Sequence, residues 1–246
     1  MTKATKIVIG AIAAVLVLGF GGTWLYINVI KEDAPERLSL DDDSGLSSTT
    51  TVAEGSETAE TTVAPGDGAS ASDGIDGEWT ATGDSVVGYR AKEVLFGQDT
   101  EGVGRTSSVT GTLTISGTSV DTAKFEVDMT TLKSDQDRRD GQVRGRIMET
   151  EKYPTSAFEL TSPIDLGSIP ADGTEITAKA TGNLTIKAET KEVTLDLAAK
   201  KDGNTISVLT EYRIQFEEWG IEDPSFGPAQ VEDNALLEIK LVFEKA

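Results

Sequence analysis

The sequence lacks both cysteine and histidine in all of its 246 residues. Without cysteine, disulfides, thiol nucleophiles and zinc sites with cysteine ligands are excluded. Without histidine, Ser-His-Asp triads, the HExxH zinc motif and the usual general base near neutral pH are excluded as well. Catalysis would then need a Ser-Lys dyad or a carboxylate pair, and no spacing in the chain indicates either one. We therefore expect a protein that is not an enzyme and that uses no cofactor and no metal.

Basic residues are scarce: 22 Lys and Arg stand against 42 Asp and Glu, which gives a formal net charge of -20. Such a chain repels phosphate backbones, so nucleic acid is not expected as a partner. Residues 31–77 hold twelve acidic and two basic residues, which leaves 30 acidic and 18 basic residues in 78–246, a net charge of -12. Residues 78–246 have the size of one ordinary domain with a single core.

Charge is missing altogether from residues 7–30, a run of 24 residues. As a helix this run would measure about 36 Å, slightly more than the roughly 30 Å hydrocarbon core of a bilayer. The alternative is a cleaved signal peptide, but its apolar stretch is usually about 7–15 residues long and ends at an A-x-A-like site. We therefore predict an uncleaved transmembrane anchor helix.

The charges on either side of this run predict its orientation. Lys3 and Lys6 precede it, whereas acidic residues dominate the chain after Lys31. By the positive-inside rule, residues 1–6 form a cytoplasmic tail of a single-pass protein of the cell membrane, and the C-terminal domain lies outside the cytoplasm.

Residues 31–77 are rich in Ser, Thr, Gly, Ala, Asp and Glu and have few large apolar side chains. This composition is typical of disorder, and the like charges extend the chain. We predict an acidic stalk that acts as a spacer between the membrane and the folded domain. The Ser and Thr clusters also suit O-linked glycosylation outside the cell.

Period-two alternation dominates residues 78–246 and predicts half-buried strands. Between residues 124 and 129 the apolar residues are Phe125, Val127 and Met129, and residues 176–186 alternate in the same way. Residues 193–199, 206–216 and 237–243 repeat the pattern, with a hairpin turn expected at Gly203. Eight or nine strands result. Many antiparallel strands at short spacing favour a barrel or a sandwich, and the interior of an eight-stranded barrel holds either side chains or one small ligand.

One segment, residues 134–148, is charged and does not alternate. It predicts a short helix with Ser134 or Asp135 as its N-cap. The segment also concentrates four arginines, at positions 138, 139, 144 and 146. These guanidinium groups could receive the polar head of a lipid. The alternative, which we favour, is that Arg139 and its neighbours pair with Asp135, Asp137 and Asp140 and hold the helix against the barrel rim.

Several phrases in residues 78–246 resemble a known family. They are SVVGYRAKEVLFG, VTGTLTISG, FEVDMTTLKSDQDRRDGQVRG, ETEKYPTSAFEL, TGNLTI, KEVTLDL and LEIKLVF. The most specific are Ser134, the Arg139-Asp140 pair and the Tyr153-Pro154 step. Together they resemble the YceI-like family of bacterial envelope proteins, in its membrane-anchored actinobacterial form. Histidines that other members carry are absent here, so no ligand contact of such a histidine transfers to this chain.

The resemblance implies an all-β fold: an antiparallel lipocalin-like β-barrel of about eight strands with one short helix. It also implies that the barrel holds an isoprenoid-type lipid, a polyprenyl lipid or a quinone. An adhesion or envelope-structure domain with a filled barrel is the alternative, since small interior residues such as Ala178, Ala180 and Gly182 fit both a tunnel and a core packed with aromatics. The predicted ligand-binding residues are Phe125, Val127, Met129, Arg139, Phe158, Ala178, Ala180, Tyr212, Ile214 and Phe216.

Overall fold

The computed structural model describes residues 34–41 and 74–246. The predicted tail (1–6), the predicted membrane span (7–30) and most of the predicted stalk lie outside the described residues. Within the two described ranges, no helix has the length and apolar character that crossing a bilayer requires. The strands are β1 Gly77–Ala81, β2 Val86–Leu95, β3 Gln98–Thr106, β4 Val109–Ser116, β5 Ser119–Asp128, β6 Lys133–Ser134, β7 Thr155–Leu160, β8 Ile164–Asp165, β9 Glu175–Ile186, β10 Glu189–Asp202, β11 Thr205–Gln215, β12 Ala229–Val231 and β13 Asn234–Lys245.

Eight of these strands form a closed antiparallel barrel. Their order is β1-β4-β5-β7-β9-β10-β11-β13, and β1 closes the ring by pairing with β13, with Trp79 opposite Lys245. Strand β13 is long enough to pair with β1 at its C-terminal end and with β2 nearer its N-terminal end, and β3 continues the sheet beyond β2. The predicted eight-stranded antiparallel barrel is therefore confirmed.

The two ends of the barrel differ. At the closed end lie the β4–β5 turn and the β10–β11 hairpin, where Gly203 adopts the left-handed conformation (φ 56°) that the predicted turn requires. At the open end lie the β2–β3 hairpin, the segment between β5 and β7, and the loop between β11 and β13. The register places these features at opposite ends, because Gln215 faces Asn234 whereas Thr205 faces Glu244.

Close contacts at the interior explain one of the small residues on β9. A Cβ atom at Gly182 would stand 2.4 Å from the Phe158 ring and 2.5 Å from the Glu159 carbonyl oxygen. The Phe158 ring in turn stacks on Phe125, with 5.6 Å between the ring centroids. The space that Gly182 leaves open is therefore filled by an aromatic side chain from the neighbouring strand β7.

The charged segment after β5 is only partly helical. Helix α1 spans Asp137–Gln142, and a single π-helical turn, Val143–Ile147, follows it. The predicted N-cap is wrong: Gln136 occupies that position and makes no side-chain capping bond. Ser134 lies instead in β6, where its hydroxyl and its backbone N–H both donate to a carboxylate oxygen of Asp140, at 2.7 and 2.8 Å. The serine therefore fixes the buried carboxylate of the helix.

Residues 34–41, which we call the strap, lie against the outer wall of the barrel. The carbonyl oxygen of Pro35 accepts a hydrogen bond of 2.7 Å from Arg90 on β2. The carbonyl oxygen of Glu36 accepts a bond from Arg105 on β3. This part of the predicted stalk thus contacts the folded domain.

Two ion pairs continue the strap across the wall. Arg37 pairs with Glu211 on β11 at 2.8 Å, and Asp41 pairs with Lys200 on β10. The strap therefore crosses the sheet from β2 and β3 to β10. On the same outer face, several side chains are buried although they do not belong to the interior core; these are Val86, Val103, Leu236 and Val242.

Candidate functional site

The open half of the barrel contains a cavity of about 720 Å³. Ligand sites for small molecules usually measure about 300–1,000 Å³ and are mostly apolar. The wall here is formed by inward-facing residues of β2, β5, β9, β11 and β13 and by α1 with the turn after it. Apolar wall residues include Val87, Leu95, Phe125, Val127, Leu184, Ile186, Ile214, Leu237 and Ile239.

The closed half is filled by side chains. Trp79, which is almost completely buried, donates from its indole nitrogen to the carbonyl oxygen of Ile75 at 2.9 Å. Other core residues of this half do not line the cavity, among them Leu113, Ile115, Leu195, Ile206, Leu241 and Phe243. The barrel is therefore solid at one end and hollow at the other.

Six of the ten predicted ligand-binding residues line the cavity: Phe125, Val127, Met129, Arg139, Ile214 and Phe216. Their predicted contact with a ligand stays a prediction. The other four lie outside the cavity wall. Phe158 packs behind Phe125, and Ala178 and Ala180 lie on the part of β9 nearer the closed end, where Ala180 belongs to the core. Tyr212 packs against the core from β11. The alternation predicts which residues face the interior of the barrel. It does not predict which part of that interior is filled by side chains and which part is empty.

Strand β2 contributes wall residues that the sequence analysis did not single out. Alternate residues of β2 face the cavity: Val87, Tyr89, Ala91, Glu93 and Leu95. The period-two pattern of this strand could have revealed them. Two glycines of β3 could not have been found in this way, because they matter only through their neighbours. A Cβ atom at Gly104 would stand 2.5 Å from the Tyr89 ring, and one at Gly102 would stand 3.0 Å from the Arg139 guanidinium.

A polar cluster lies in the cavity wall near the open end. Arg139 forms an ion pair of 2.9 Å with Glu93 on β2 and a second ion pair with Asp135. Burial alone would lower the pKa of Arg139, but Glu93 and Asp135 outweigh this effect and hold the pKa above its ordinary value. The favoured pairing within the segment therefore holds for Asp135 with Arg139 and for Asp140 with Arg144, at 4.0 Å. Glu93 is a further partner, outside the segment, that was not predicted.

Two hydroxyl groups add hydrogen-bonding capacity to the wall. Burial raises the pKa of Tyr89, so its hydroxyl stays protonated and can donate. The hydroxyl oxygen of Ser156 is buried and has no hydrogen-bond partner within the described residues. Since a buried polar atom without a partner is costly, Ser156 is a natural contact for a polar atom of a ligand. The amides of Gln136 and Gln142 also reach the cavity.

The opening of the cavity is bordered by loops with exposed apolar side chains. Phe96, in the β2–β3 hairpin, is 56% exposed, and Phe226, in the loop before β12, is 45% exposed. The Arg138 guanidinium lies 4.9 Å from the centroid of the Phe226 ring. Arg146 donates to the carbonyl oxygens of Asp223 and Pro224 at 2.8 and 3.0 Å and thereby holds this loop in place.

The model of the YceI-like domain matches residues 80–243 of this sequence. The chain belongs to the YceI-like family. The match covers the barrel from β1 to β13, so the family assigned from sequence phrases is confirmed. No protein in a collection of curated sequences matches the chain significantly.

Three solved structures are similar to this chain, and the first of them shares its fold. A domain from Saccharophagus degradans, described as a polyisoprenoid-binding domain implicated in plant cell wall breakdown, has 14% identity and a TM-score of 0.57; it covers 68% of this chain and 98% of its own. BcnA of Burkholderia cenocepacia has 21% identity and a TM-score of 0.48, with 63% and 95% coverage. The YceI protein of Campylobacter jejuni has 14% identity and a TM-score of 0.44, with 58% and 85% coverage.

Proposed function

We propose that this YceI-like domain holds an isoprenoid-type lipid, a polyprenyl lipid or a quinone, in the cavity of its barrel. The apolar cavity of about 720 Å³, open at one end, is the observation that carries the proposal. A filled barrel that serves adhesion or envelope structure would need no such space. The Saccharophagus degradans domain with the same fold is described as binding polyisoprenoids, which supports the lipid class.

The apolar wall supplies enough binding energy for a short isoprenoid tail. Each buried CH₂ group contributes about 0.8 kcal/mol, so one five-carbon unit contributes at most about 4 kcal/mol. Association itself costs roughly 4–15 kcal/mol. Several buried units therefore offset this cost and leave micromolar affinity or better.

The polar cluster favours a neutral head group over a phosphate. Arg139 already faces two carboxylates, Glu93 and Asp135, so the three side chains together carry one negative charge. A phosphate placed beside these three side chains, which are less exposed than Arg138 at the rim, would be repelled and would lose its hydration. A quinone or phenol oxygen needs only hydrogen bonds, and the hydroxyls of Tyr89 and Ser156 offer them. We therefore propose a quinone-like or other uncharged head near the open end, with the tail directed towards Phe125.

In this proposal the protein is a binding module that is anchored in the cell membrane, with its barrel outside the cytoplasm. The uncharged run of 24 residues at 7–30 and the lysines before it support this location. Binding needs no covalent chemistry, which agrees with the absence of cysteine and histidine from the sequence.

Extraction of the purified full-length protein tests the proposal. Organic solvent would release bound lipid for mass spectrometry, both before and after incubation with ubiquinone, menaquinone or undecaprenyl phosphate. We expect a neutral isoprenoid at up to one molecule per chain and little undecaprenyl phosphate. A chain that retains none of the three after incubation would contradict lipid binding, and preferential retention of the phosphate would contradict the neutral head group.

A further inference from the structure

Exposed apolar side chains concentrate at the open end of the barrel. Four large apolar residues of the described ranges are exposed: Val94, Phe96, Ile169 and Phe226. Three of them border the opening, whereas Ile169 lies between β8 and β9 near the closed end. Phe96 has a positive φ of 52°, unusual for a bulky residue, and the tight hairpin holds its ring at the tip. Exposed apolar side chains grouped in this way are typical of a surface that contacts an apolar partner.

Two exposed arginines also lie at this rim. Arg138 and Arg146 are exposed, and within the described ranges neither belongs to an ion pair. Arg138 lies against the Phe226 ring and Arg146 binds the loop before it, on a domain whose net charge is -12. Four exposed carboxylates lie near them, those of Asp99, Asp137, Glu222 and Asp223. The Asp223 carboxylate accepts a hydrogen bond of 2.8 Å from the backbone N–H of Ser225. Aromatic rings next to basic side chains are typical of surfaces that enter the headgroup region of a bilayer.

The strap independently points to the same end. Its first contacts, from Pro35 and Glu36, are made on β2 and β3, and its last, from Asp41, is made on Lys200 near the β10–β11 hairpin at the closed end. The chain thus meets the barrel on its open half and descends the wall. Strand β1 then begins beside Ile115 at the closed end.

The number of residues between the predicted membrane span and the strap limits where the span can end. Four Cα steps separate Ile30 from Ala34, a reach of at most about 15 Å. Five Cα steps separate Arg90 from Leu95 at the hairpin, which is about 17 Å along a strand. The predicted span, residues 7–30, would therefore end within about 15 Å of Ala34, which precedes the strap's first contacts on the open half.

We propose that the rim formed by Phe96, Arg138, Arg146 and Phe226 contacts the lipid bilayer from which the chain emerges. This inference rests on the proposed function, since it makes the rim the surface through which an isoprenoid passes between the bilayer and the cavity. The phenyl rings enter the boundary between headgroups and acyl chains, Arg138 meets lipid phosphates, and Arg146 holds the loop that carries Phe226. The strap keeps the barrel close to the membrane with its opening turned towards it.

Single-cysteine labelling tests this contact cleanly, because the natural chain contains no cysteine. Full-length Phe226→Cys and Ile169→Cys would carry the same environment-sensitive fluorophore and be reconstituted in vesicles of phosphatidylcholine and phosphatidylglycerol with brominated acyl chains. The two positions have similar exposure, 45% and 43%, so the second is a matched control. We expect strong quenching at position 226 and little at position 169. Equal or absent quenching at both positions would overturn the proposal.

A transfer assay separates this inference from the proposed function. Phe96→Ser combined with Phe226→Ser should slow quinone transfer to acceptor vesicles by about tenfold or more, the factor that corresponds to one ring kept out of an apolar phase. Ile169→Ser should leave the rate unchanged. Normal transfer by the double variant would contradict the role of the rim even if the protein binds quinone. Quenching at position 226 without any retained lipid would contradict the proposed function and leave the membrane contact standing.

Discussion

Arg90 donates from its Nε atom to a carboxylate oxygen of Glu238 at 2.7 Å, and both side chains are buried on the outside of the barrel. Both residues alternate with cavity-lining neighbours, so they point away from the interior. Only 6% of Arg90 and 1% of Glu238 remain exposed. Arg105 approaches the other carboxylate oxygen at 2.9 Å, and the strap covers the group with the carbonyl oxygens of Pro35 and Glu36.

The first prediction concerns this buried charge cluster. Glu238→Ala would leave Arg105 without its carboxylate partner and Arg90 with Glu101 alone, at 2.7 Å, in a desolvated site. We therefore expect the free energy of unfolding to fall by about 3–5 kcal/mol. Asp196→Ala is the control, because the Lys179–Asp196 pair is well exposed and such pairs contribute about 0–1 kcal/mol. Urea unfolding followed by tryptophan fluorescence measures both. Similar losses in the two variants would contradict the importance of burial.

The second prediction uses the contrast between the hollow and the filled half. Ala91 lines the cavity, so Ala91→Trp should occupy it, abolish lipid retention and leave the melting temperature nearly unchanged. Ala180 belongs to the packed core, so Ala180→Trp should destabilise the fold by about 1–3 kcal/mol or more. Thermal unfolding and lipid extraction are measured for both. Unaltered lipid retention in a folded Ala91→Trp variant would place the ligand elsewhere.

The third prediction concerns the glycines. Gly182→Ala would bring a Cβ atom to 2.4 Å from the Phe158 ring, so a substantial loss of stability is expected, as for other overpacked cores (about 1–3 kcal/mol). Gly141→Ala has open space around its Cβ position and lies in α1, where alanine favours the helix by up to about 1 kcal/mol. The two melting temperatures should therefore move in opposite directions, and a shift of the same sign would contradict this interpretation.

The fourth prediction concerns the head group. Tyr89→Phe removes the hydroxyl but keeps the ring against Gly104, so quinone affinity should fall by about 0.5–1.5 kcal/mol while stability changes little. Glu93→Gln removes one negative charge beside Arg139, and retention of polyprenyl phosphate should rise relative to quinone. Competitive retention of the two lipids measures both effects. An unchanged lipid ratio in Glu93→Gln would show that this cluster does not select the head group.

Much of the barrel could be predicted because alternation directly reflects a surface with one apolar side. Strand β9 is an example, since its apolar residues face the interior and its threonines face outward. Strand β3 escaped prediction because its sequence, QDTEGVGRT, has hardly any apolar residues. Two of its glycines leave space for side chains of other elements: Gly104 accommodates Tyr89, and Gly102 accommodates Arg139.

The strap and the extent of the cavity were beyond sequence reasoning for a different reason. At its first contacts the strap binds Arg90 and Arg105 through backbone carbonyl oxygens, which every residue possesses, so the sequence there carries no signal. Whether a barrel is hollow depends on which rings lean across it, as Phe158 does over Gly182. Alternation predicts whether a side chain points into the barrel, but not how much empty volume lies around it.

Because side chains fill the closed end of the barrel, the cavity has an opening at one end and is blocked at the other. Phe125 lines the cavity, and Phe158 stacks behind it. A lipid that enters tail first must leave head first by the same opening, so a second molecule cannot push it out from behind. A bound lipid must therefore leave before the next one can enter. Its dissociation rate should not depend on the concentration of a competing lipid.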